Sequence, residues 1–240
     1  MADYDIEHWT SSHTSKDGGK HNAVSISVND RAATRAAIIS RTEQNGMNFV
    51  QRSEWAAHRN RSRRMHSDWN YTKIAIHHAG RSFACGPGAL QLQEIQDMQM
   101  SRSPGALDDI GYHYALDCLG NVFEGRDIRF QGENVHNHNT GVIGIVLLEN
   151  LTALNEGHDA VTSLRKLLGK MGIGRHPAIP DRQRGAIFKF TNVLCEFFHI
   201  HTLGGHREFP GQLGEGKICP GNIGLTLVSE LRKSTGLRAP

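Results

Sequence analysis

Apolar residues fall along this chain in short runs and in helix-spaced sets. The run Lys73–His78 reads KIAIHH, which predicts a short buried strand that ends in two imidazoles just before the breaker Ala79-Gly80. A second apolar run, at 141–145, predicts another strand. Apolar residues with helical spacing predict helices at about 32–40, 90–98, 161–171, 187–198 and 223–231. The chain therefore combines strands and helices.

Potential metal ligands occur at the end of this predicted strand and in a later, glycine-rich segment. His206 and Cys219 flank a glycine-rich connection, and Lys217 lies two residues before the cysteine. Imidazole and thiolate are ligands that Zn²⁺ prefers, and three protein ligands leave a fourth position for water, as in catalytic sites. With His77 from the strand end, His206 and Cys219 are the proposed ligands. Spacing alone leaves the alternative of packing residues open, because no compact Cys-x-x-Cys or His-Glu-x-x-His pattern is present.

Further motifs give these residues a context. They are DIGYHY at 109–114, LDCLGNVFEGR at 116–126, GVIGI at 141–145, Gly-His-Arg at 205–207 and Cys-Pro-Gly at 219–221. With Ile76-His77-His78 they resemble, in the same order, the type 2 N-acetylmuramoyl-L-alanine amidases. That superfamily includes animal peptidoglycan recognition proteins and bacteriophage lysozyme-type amidases. The resemblance spans about 55–231 and implies an α/β fold, with a mixed central β-sheet flanked by α-helices on both faces.

The resemblance also implies roles for individual residues. His77, His206 and Cys219 would bind Zn²⁺, while Tyr112 and Lys217 would be the catalytic residues. Non-catalytic recognition proteins typically lose the metal-binding cysteine, so Cys219 favours an enzyme. The implied reaction is hydrolysis of the amide between N-acetylmuramic acid and L-alanine of peptidoglycan.

Two features depart from the family pattern. The connection between the last two ligands, 209–216, is longer than in most members, which makes the position of Lys217 the least secure part of the predicted site. Cytoplasmic members that recycle muropeptides have a glutamate after the Ile-Gly-Ile strand, where this chain has Val146. The sequence therefore resembles the tyrosine–lysine subtype.

Polar residues before the second strand are candidates for contacts with substrate. His136 and Asn139 stand where the family has a histidine and an asparagine, and a solvated surface loop is the alternative. His78 alternates with His77 along the strand, so it is expected to support the ligands or to pack rather than to be a ligand itself. Glu124 and Arg126, in the Gly-Arg turn, are predicted to form structural salt bridges.

Composition limits the classes of function. The chain has 240 residues, 38% of them apolar, which is enough for a substantial core, and none of its apolar runs approaches the roughly 20 residues that span a bilayer. A net charge of +3 does not require nucleic acid as a partner. An arginine-rich run at 59–64 favours a solvated loop, with contact to anionic wall polymers as the alternative. Among the cysteines, Cys195 is predicted to lie in the core, and pairing of Cys85 with Cys118 stays open.

The organisation of the chain follows from these patterns. We expect a polar N-terminal extension at 1–47 and a zinc amidase domain at 48–240, with an inserted helical segment near 152–180. The start of the sequence lacks a charged segment followed by an apolar stretch, so no conventional signal peptide is predicted.

The missing signal bears on delivery, since the implied substrate is periplasmic peptidoglycan. We expect synthesis in the cytoplasm and then specialised secretion or phage-type release, with an immunity or delivery protein as a possible partner. Val146 makes muropeptide recycling the less favoured route. A peptidoglycan-binding or regulatory protein without turnover is the alternative class of function.

Overall fold

Six strands form one sheet in the computed structural model, which describes residues 30–80, 85–153, 156 and 178–240. Their bounds are β1 Phe49–Val50, β2 Lys73–His78, β3 Tyr114–Leu116, β4 Val122–Glu124, β5 Val142–Leu147 and β6 Thr202–Gly205. The two apolar runs of the sequence are thus β2 and β5.

The strand order is β1-β4-β3-β5-β2-β6. Strands β3 and β4 are antiparallel, and the other neighbouring pairs are parallel, so the sheet is mixed. Strand β2 lies between β5 and β6, with His77 opposite Val146 and Ile76 opposite Gly205. Because these three strands are parallel, their carboxyl ends meet at one edge of the sheet, where His77 and His206 both lie.

Helices cover both faces of the sheet. Helices α1 (Asp30–Gln44), α3 (Asp181–Phe197) and α4 (Gly221–Thr235) pack on one face, around a cluster that contains Ile74 and Ile76. Helix α2 (Gly88–Ser101) packs on the other face. The predicted fold class, a mixed central sheet with helices on both faces, is confirmed.

The two faces of β2 have different contents. Ile74 and Ile76 belong to the larger cluster, and each fully buried isoleucine contributes about 1.5–3 kcal/mol to folding. Since strand side chains alternate between faces, Ala75 and His77 share the opposite face. This register puts His77 on the face of α2 while the aliphatic residues beside it hold the strand in the core.

Helix α2 buries a narrower stripe than its sequence suggests. Leu92, Ile95 and Gln96 are buried, as expected for neighbours spaced by three and four residues. Leu90 and Met98, apolar residues of the helix predicted at 90–98, are 56% and 36% exposed. At 100° per residue Leu90 lies almost opposite Leu92, so both cannot face the sheet.

Helix α1 contains the helix predicted at 32–40. Ile38 is buried in the larger cluster, and Arg35 pairs with Glu124 of β4 at 2.5 Å. The described end of the polar segment 1–47 therefore packs against the sheet. Residues 1–29 of that segment lie outside the described residues, as does nearly all of the inserted helical segment predicted near 152–180.

The structure decides the two predictions made for the cysteines. Cys85 and Cys118 form a disulfide that joins the start of α2 to the turn after β3, whereas Cys195 is only half-buried on α3. Val193 and Leu194, next to Cys195, occupy the buried stripe of the helix instead, so the prediction that Cys195 lies in the core was wrong.

Glu124 and Arg126, in the Gly-Arg turn, do form the predicted ion pairs, with Arg35 and Glu133 respectively.

In the described part of the chain, no helix combines the length and apolar character that crossing a bilayer requires.

Candidate metal centre and active site

The fold brings the proposed ligands together from separate elements. His77 comes from the end of β2, His206 follows β6 directly, and Cys219 lies just before α4. Their ligand atoms all lie within 4.8 Å of one another, and Cys219 Sγ is 3.6 Å from His77 Nδ1. A tetrahedral zinc ion separates its nitrogen and sulfur ligands by roughly 3.3–3.8 Å. The donor set and its spacing therefore fit Zn²⁺.

Asn134 fixes the orientation of His77. Its side-chain Nδ2 donates to the carbonyl oxygen of Gly111 at 3.3 Å, so its Oδ1 is the atom that faces His77 Nε2, 3.1 Å away. An amide oxygen only accepts hydrogen bonds, hence His77 carries its proton on Nε2 and a lone pair on Nδ1. The unprotonated Nδ1 lies 3.6 Å from Cys219 Sγ.

Gly144 of β5 makes room for Asn134. A Cβ atom at position 144 would lie 2.5 Å from Asn134 Cγ, closer than carbon atoms approach without displacement. The glycine of the Ile-Gly-Ile strand is therefore needed where the asparagine packs beside His77.

His206 has a similar amide partner. Its Nε2 lies 3.0 Å from Oε1 of Gln212, a residue of the connection between the last two proposed ligands. Gln212 is 1% exposed. The planes of the two imidazoles are tilted by 50°, with their ring centroids 4.6 Å apart.

Burial sets the protonation of the cluster without metal. Desolvation, and next the neighbouring His206, lower the pKa of His77 well below its ordinary range, and desolvation also lowers the pKa of His206. Desolvation raises the pKa of Cys219 to about 12. The imidazoles are thus neutral and ready to coordinate, while the thiol must release a proton when metal binds.

Tyr112 lies beside the cluster. Its ring centroid is 4.9 Å from that of His77. Burial, and next the nearby Cys219, raise the pKa of the phenol above its ordinary value, so the hydroxyl remains protonated near neutral pH and can donate a hydrogen bond.

Lys217 is near the cluster but exposed. Its side chain is 44% exposed, and Nζ lies 4.0 Å from Glu215 Oε2. Its positive charge contributes to lowering the pKa of His206 and, against burial, that of Cys219, which places the ammonium within electrostatic reach of both. Its catalytic role stays a prediction.

The residues predicted to contact substrate lie in the turn at 134–139. His136 is exposed and pairs with Glu215 through Nδ1 at 2.8 Å, which places it at the rim of the site. Asn139 instead accepts hydrogen bonds from the backbone N–H groups of Asn134 and Val135 through its Oδ1, both at 2.8 Å. The side-chain oxygen of Asn139 thus shapes the turn that carries Asn134, and contact of either residue with substrate stays a prediction.

Sequence reasoning did not single out Asn134, Gln212 or Glu215. Asn134 stands two residues before His136 and Gln212 lies within the long connection, so both were close to residues that drew attention. No spacing rule marks an amide that will be buried beside a histidine. His78 was expected to pack, and its Nδ1 accepts a hydrogen bond from the N–H of Leu151 at 3.0 Å.

Solved structures share this fold at low identity. Peptidoglycan recognition protein SD of Drosophila superimposes with a TM-score of 0.59 and 21% identity, over 77% of this chain and 94% of that chain. The N-acetylmuramoyl-L-alanine amidase LysC of Clostridium intestinale superimposes with a TM-score of 0.55 and 16% identity, over 80% and 99% of the two chains.

Sequence relatives are closer but partial. Peptidoglycan-recognition protein SC2 of Drosophila melanogaster is 32% identical over 126 residues, which cover 51% of this chain and 66% of that protein. Peptidoglycan-recognition protein SD of the same species is 31% identical over 96 residues, or 40% and 50% of the two. The chain thus spans between half and two thirds of the length of these curated relatives.

The family match covers most of the chain. Residues 35–222 match the Amidase_2 family, described as N-acetylmuramoyl-L-alanine amidase. The match includes α1 from Arg35, the whole sheet and each of the proposed ligands. This chain is therefore a member of the N-acetylmuramoyl-L-alanine amidase (Amidase_2) family.

Proposed function

We propose that the protein is a zinc-dependent N-acetylmuramoyl-L-alanine amidase, which hydrolyses the amide between the lactyl group of N-acetylmuramic acid and L-alanine of peptidoglycan. The observation that carries the proposal is the cluster of His77, His206 and Cys219, with ligand atoms within 4.8 Å of one another and Tyr112 alongside. Family membership and the peptidoglycan-recognition names of the relatives support the choice of substrate.

The donor set is that of a catalytic rather than a structural zinc site. Two neutral imidazole nitrogens and one sulfur provide three protein ligands, which leaves a position for water or substrate. When bound, Zn²⁺ supplies a Lewis acid for the scissile carbonyl and lowers the pKa of its water. Asn134 and Gln212 hold the Nε2 protons of the two histidines away from the cluster.

The other polar groups act on the charge that develops during hydrolysis. Attack on the amide places negative charge on the former carbonyl oxygen. The neutral Tyr112 hydroxyl orients the attacking water or donates a hydrogen bond to that oxygen, and the ammonium of Lys217 stabilises it electrostatically. His136 and Glu215 form the rim next to which the sugar and stem peptide lie.

The reaction has a direct test. Purified sacculi are digested with zinc-loaded protein, with chelator-treated protein and with the Cys219→Ser variant, and the products are analysed by mass spectrometry. We expect stem peptides with a free L-alanine amine, separated from intact glycan strands, only in the zinc-loaded wild-type digest. Cleavage of a sugar–sugar or peptide–peptide bond, or equal cleavage after chelation, would contradict the proposal.

The proposal extends to where the enzyme acts. Its substrate lies outside the cytoplasm, so the role is bacteriolytic, as an effector delivered by specialised secretion with an immunity or delivery partner, or as a phage-type endolysin. Expression with and without a periplasmic signal tests this. Lysis only upon export supports a target in the intact wall, and lysis without export contradicts it.

A non-catalytic peptidoglycan-binding protein is the second candidate. It is favoured by the exposure of Lys217, whose ammonium lies 4.0 Å from a Glu215 carboxylate oxygen, and by the recognition proteins among the relatives. Sacculi that bind the zinc-loaded protein but stay intact would decide for this candidate.

A further inference from the structure

Gln212 is a buried amide within an exposed connection. It is 1% exposed, whereas the next residue, Leu213, is 70% exposed, and Gly211, Gly214 and Glu215 are also exposed. Burying an amide is unfavourable unless its polar atoms are paired. The burial of Gln212 therefore depends on hydrogen bonds to its amide group, and not on packing alone.

The hydrogen bonds of Gln212 fix which way its amide points. Nε2 donates to the carbonyl oxygens of His136 at 2.9 Å and Pro210 at 3.3 Å. Two acceptors on that side require the NH₂ group there, so Oε1 must face His206 Nε2 at 3.0 Å. Because Oε1 can only accept, His206 must carry its proton on Nε2, and its Nδ1 keeps a lone pair.

We propose that Gln212 is a positioning residue, which selects the Nε2–H tautomer and the ring orientation of His206 and so presets Nδ1 for metal. The metal part of this inference rests on the proposed function, whereas the tautomer part does not. Mutating the hydrogen-bond partner of a ligating histidine typically lowers metal affinity 10- to 100-fold, so a loss of about that size is expected when Gln212 is replaced.

Gln212 also joins separate parts of the site. Through the carbonyl oxygen of His136 it reaches the turn at 134–139, whose Asn134 orients His77. Its own backbone carbonyl accepts the N–H of Lys217 at 3.2 Å. The extra length of the 209–216 connection therefore supplies a residue that holds one ligand directly and sets the backbone of the predicted catalytic lysine.

The tautomer is tested without metal. Long-range ¹H–¹⁵N NMR spectra of the zinc-free protein report which nitrogen of His206 carries the proton. We expect the Nε2–H form in the wild type and in Leu213→Ala, a control in the same connection, and a mixture of tautomers in Gln212→Met, which keeps the volume but removes the acceptor. An unchanged tautomer in Gln212→Met would overturn the proposal.

Zinc affinity, measured by competition with a chromophoric chelator, tests the consequence. We expect the dissociation constant to rise about 10- to 100-fold in Gln212→Met and not at all in Leu213→Ala. Equal affinities in wild type and Gln212→Met would refute the role while leaving the amidase proposal intact. If wild type binds no zinc, the amidase proposal fails, and the NMR result still decides the role of Gln212 in setting the tautomer.

Discussion

His77 and Lys217 serve the same proposed site but are held by different kinds of structure. His77 lies in β2, which is hydrogen-bonded to β5 on one side and β6 on the other, and its side chain is 1% exposed. Lys217 ends a connection in which most residues are exposed, and its own side chain is 44% exposed. The sheet thus fixes the position of His77, the first proposed ligand, whereas the charge proposed for catalysis comes from a loop.

The difference separates what each region controls. Moving His77 requires breaking the ladders of a central strand, so the geometry at the sheet edge is set by the fold itself. Moving Lys217 requires only rotation of a solvated side chain, since its contact with Glu215 is 4.0 Å long and such exposed pairs contribute about 0–1 kcal/mol. Changes at the sheet should therefore alter metal binding and stability, and changes at Lys217 should alter turnover alone.

The largest effect is expected at the proposed metal ligands. Replacing His77 by alanine or Cys219 by serine should remove bound zinc and lower amidase activity at least about 1,000-fold, because the Lewis acid contributes several kcal/mol to transition-state stabilisation. Metal content by mass spectrometry and product formation from sacculi are the measurements. An active, zinc-loaded Cys219→Ser variant would show that the cluster is not the catalytic metal site.

Acid should destabilise the folded protein through His113, which directly precedes β3. Its Nδ1 accepts the N–H of Gly144 at 3.1 Å. Burial lowers its pKa from an ordinary 6.5 to about 4. Between these values the unfolded chain binds more protons than the folded one, so the stabilisation present above pH 6.5 is lost as the pH falls toward 4, by about 3 kcal/mol.

The measurement is the free energy of unfolding against pH, in chelator, for the wild type and His113→Asn. Asparagine keeps an acceptor for the Gly144 N–H but does not titrate. The variant should lose less stability per pH unit between 6.5 and 4, whatever its stability at neutral pH. Parallel curves would mean that His113 titrates normally.

Paired glycine substitutions compare the two regions directly. Gly144→Ala would push a Cβ to 2.5 Å from Asn134 Cγ and should reduce the free energy of unfolding by about 1–3 kcal/mol, along with zinc affinity. Gly214→Ala, in the connection, would meet only the Gly211 carbonyl oxygen at 3.4 Å and should change stability by less than about 0.5 kcal/mol. Equal effects in chemical denaturation would mean that the two regions do not differ as described.

The effect expected from Lys217 is confined to turnover. Lys217→Ala should lower kcat about 10- to 100-fold with zinc content unchanged, since it removes one charge that stabilises the transition state. Lys217→Arg keeps the charge and should recover part of the loss. Unchanged kcat in Lys217→Ala would assign the developing charge to Tyr112 and the metal alone.

Much of the sheet side could be predicted from sequence, for physical reasons. The run KIAIHH has the length and apolar character of a buried strand, and parallel pairing with β5 and β6 turns its last residues toward one edge. Helix α2 shows the limit of such patterns. Its position was predicted, but which residues it buries depends on the rotation of the helix against the sheet, which left Leu90 and Met98 exposed.

The loop side could be predicted only in part. His206 and Cys219 have the chemistry of ligands wherever they occur, so their types alone made them candidates. Gln212 has no such chemistry of its own. Its importance depends on burial against His206 and on two backbone carbonyl oxygens, that of His136, which is distant in sequence, and that of Pro210, which is in the same connection. Asn139 shows the converse, because a conspicuous polar residue turned out to bond its own turn.

X-ray absorption at the zinc edge of the purified protein tests the central claim most directly, namely that the sheet edge and the loop together form one zinc site. We expect one zinc per chain, with a single sulfur at about 2.3 Å and nitrogen or oxygen neighbours at about 2.0–2.1 Å, and loss of the sulfur shell in Cys219→Ser. A zinc shell without sulfur in the wild type, or a sulfur shell that persists in Cys219→Ser, would contradict the site described here.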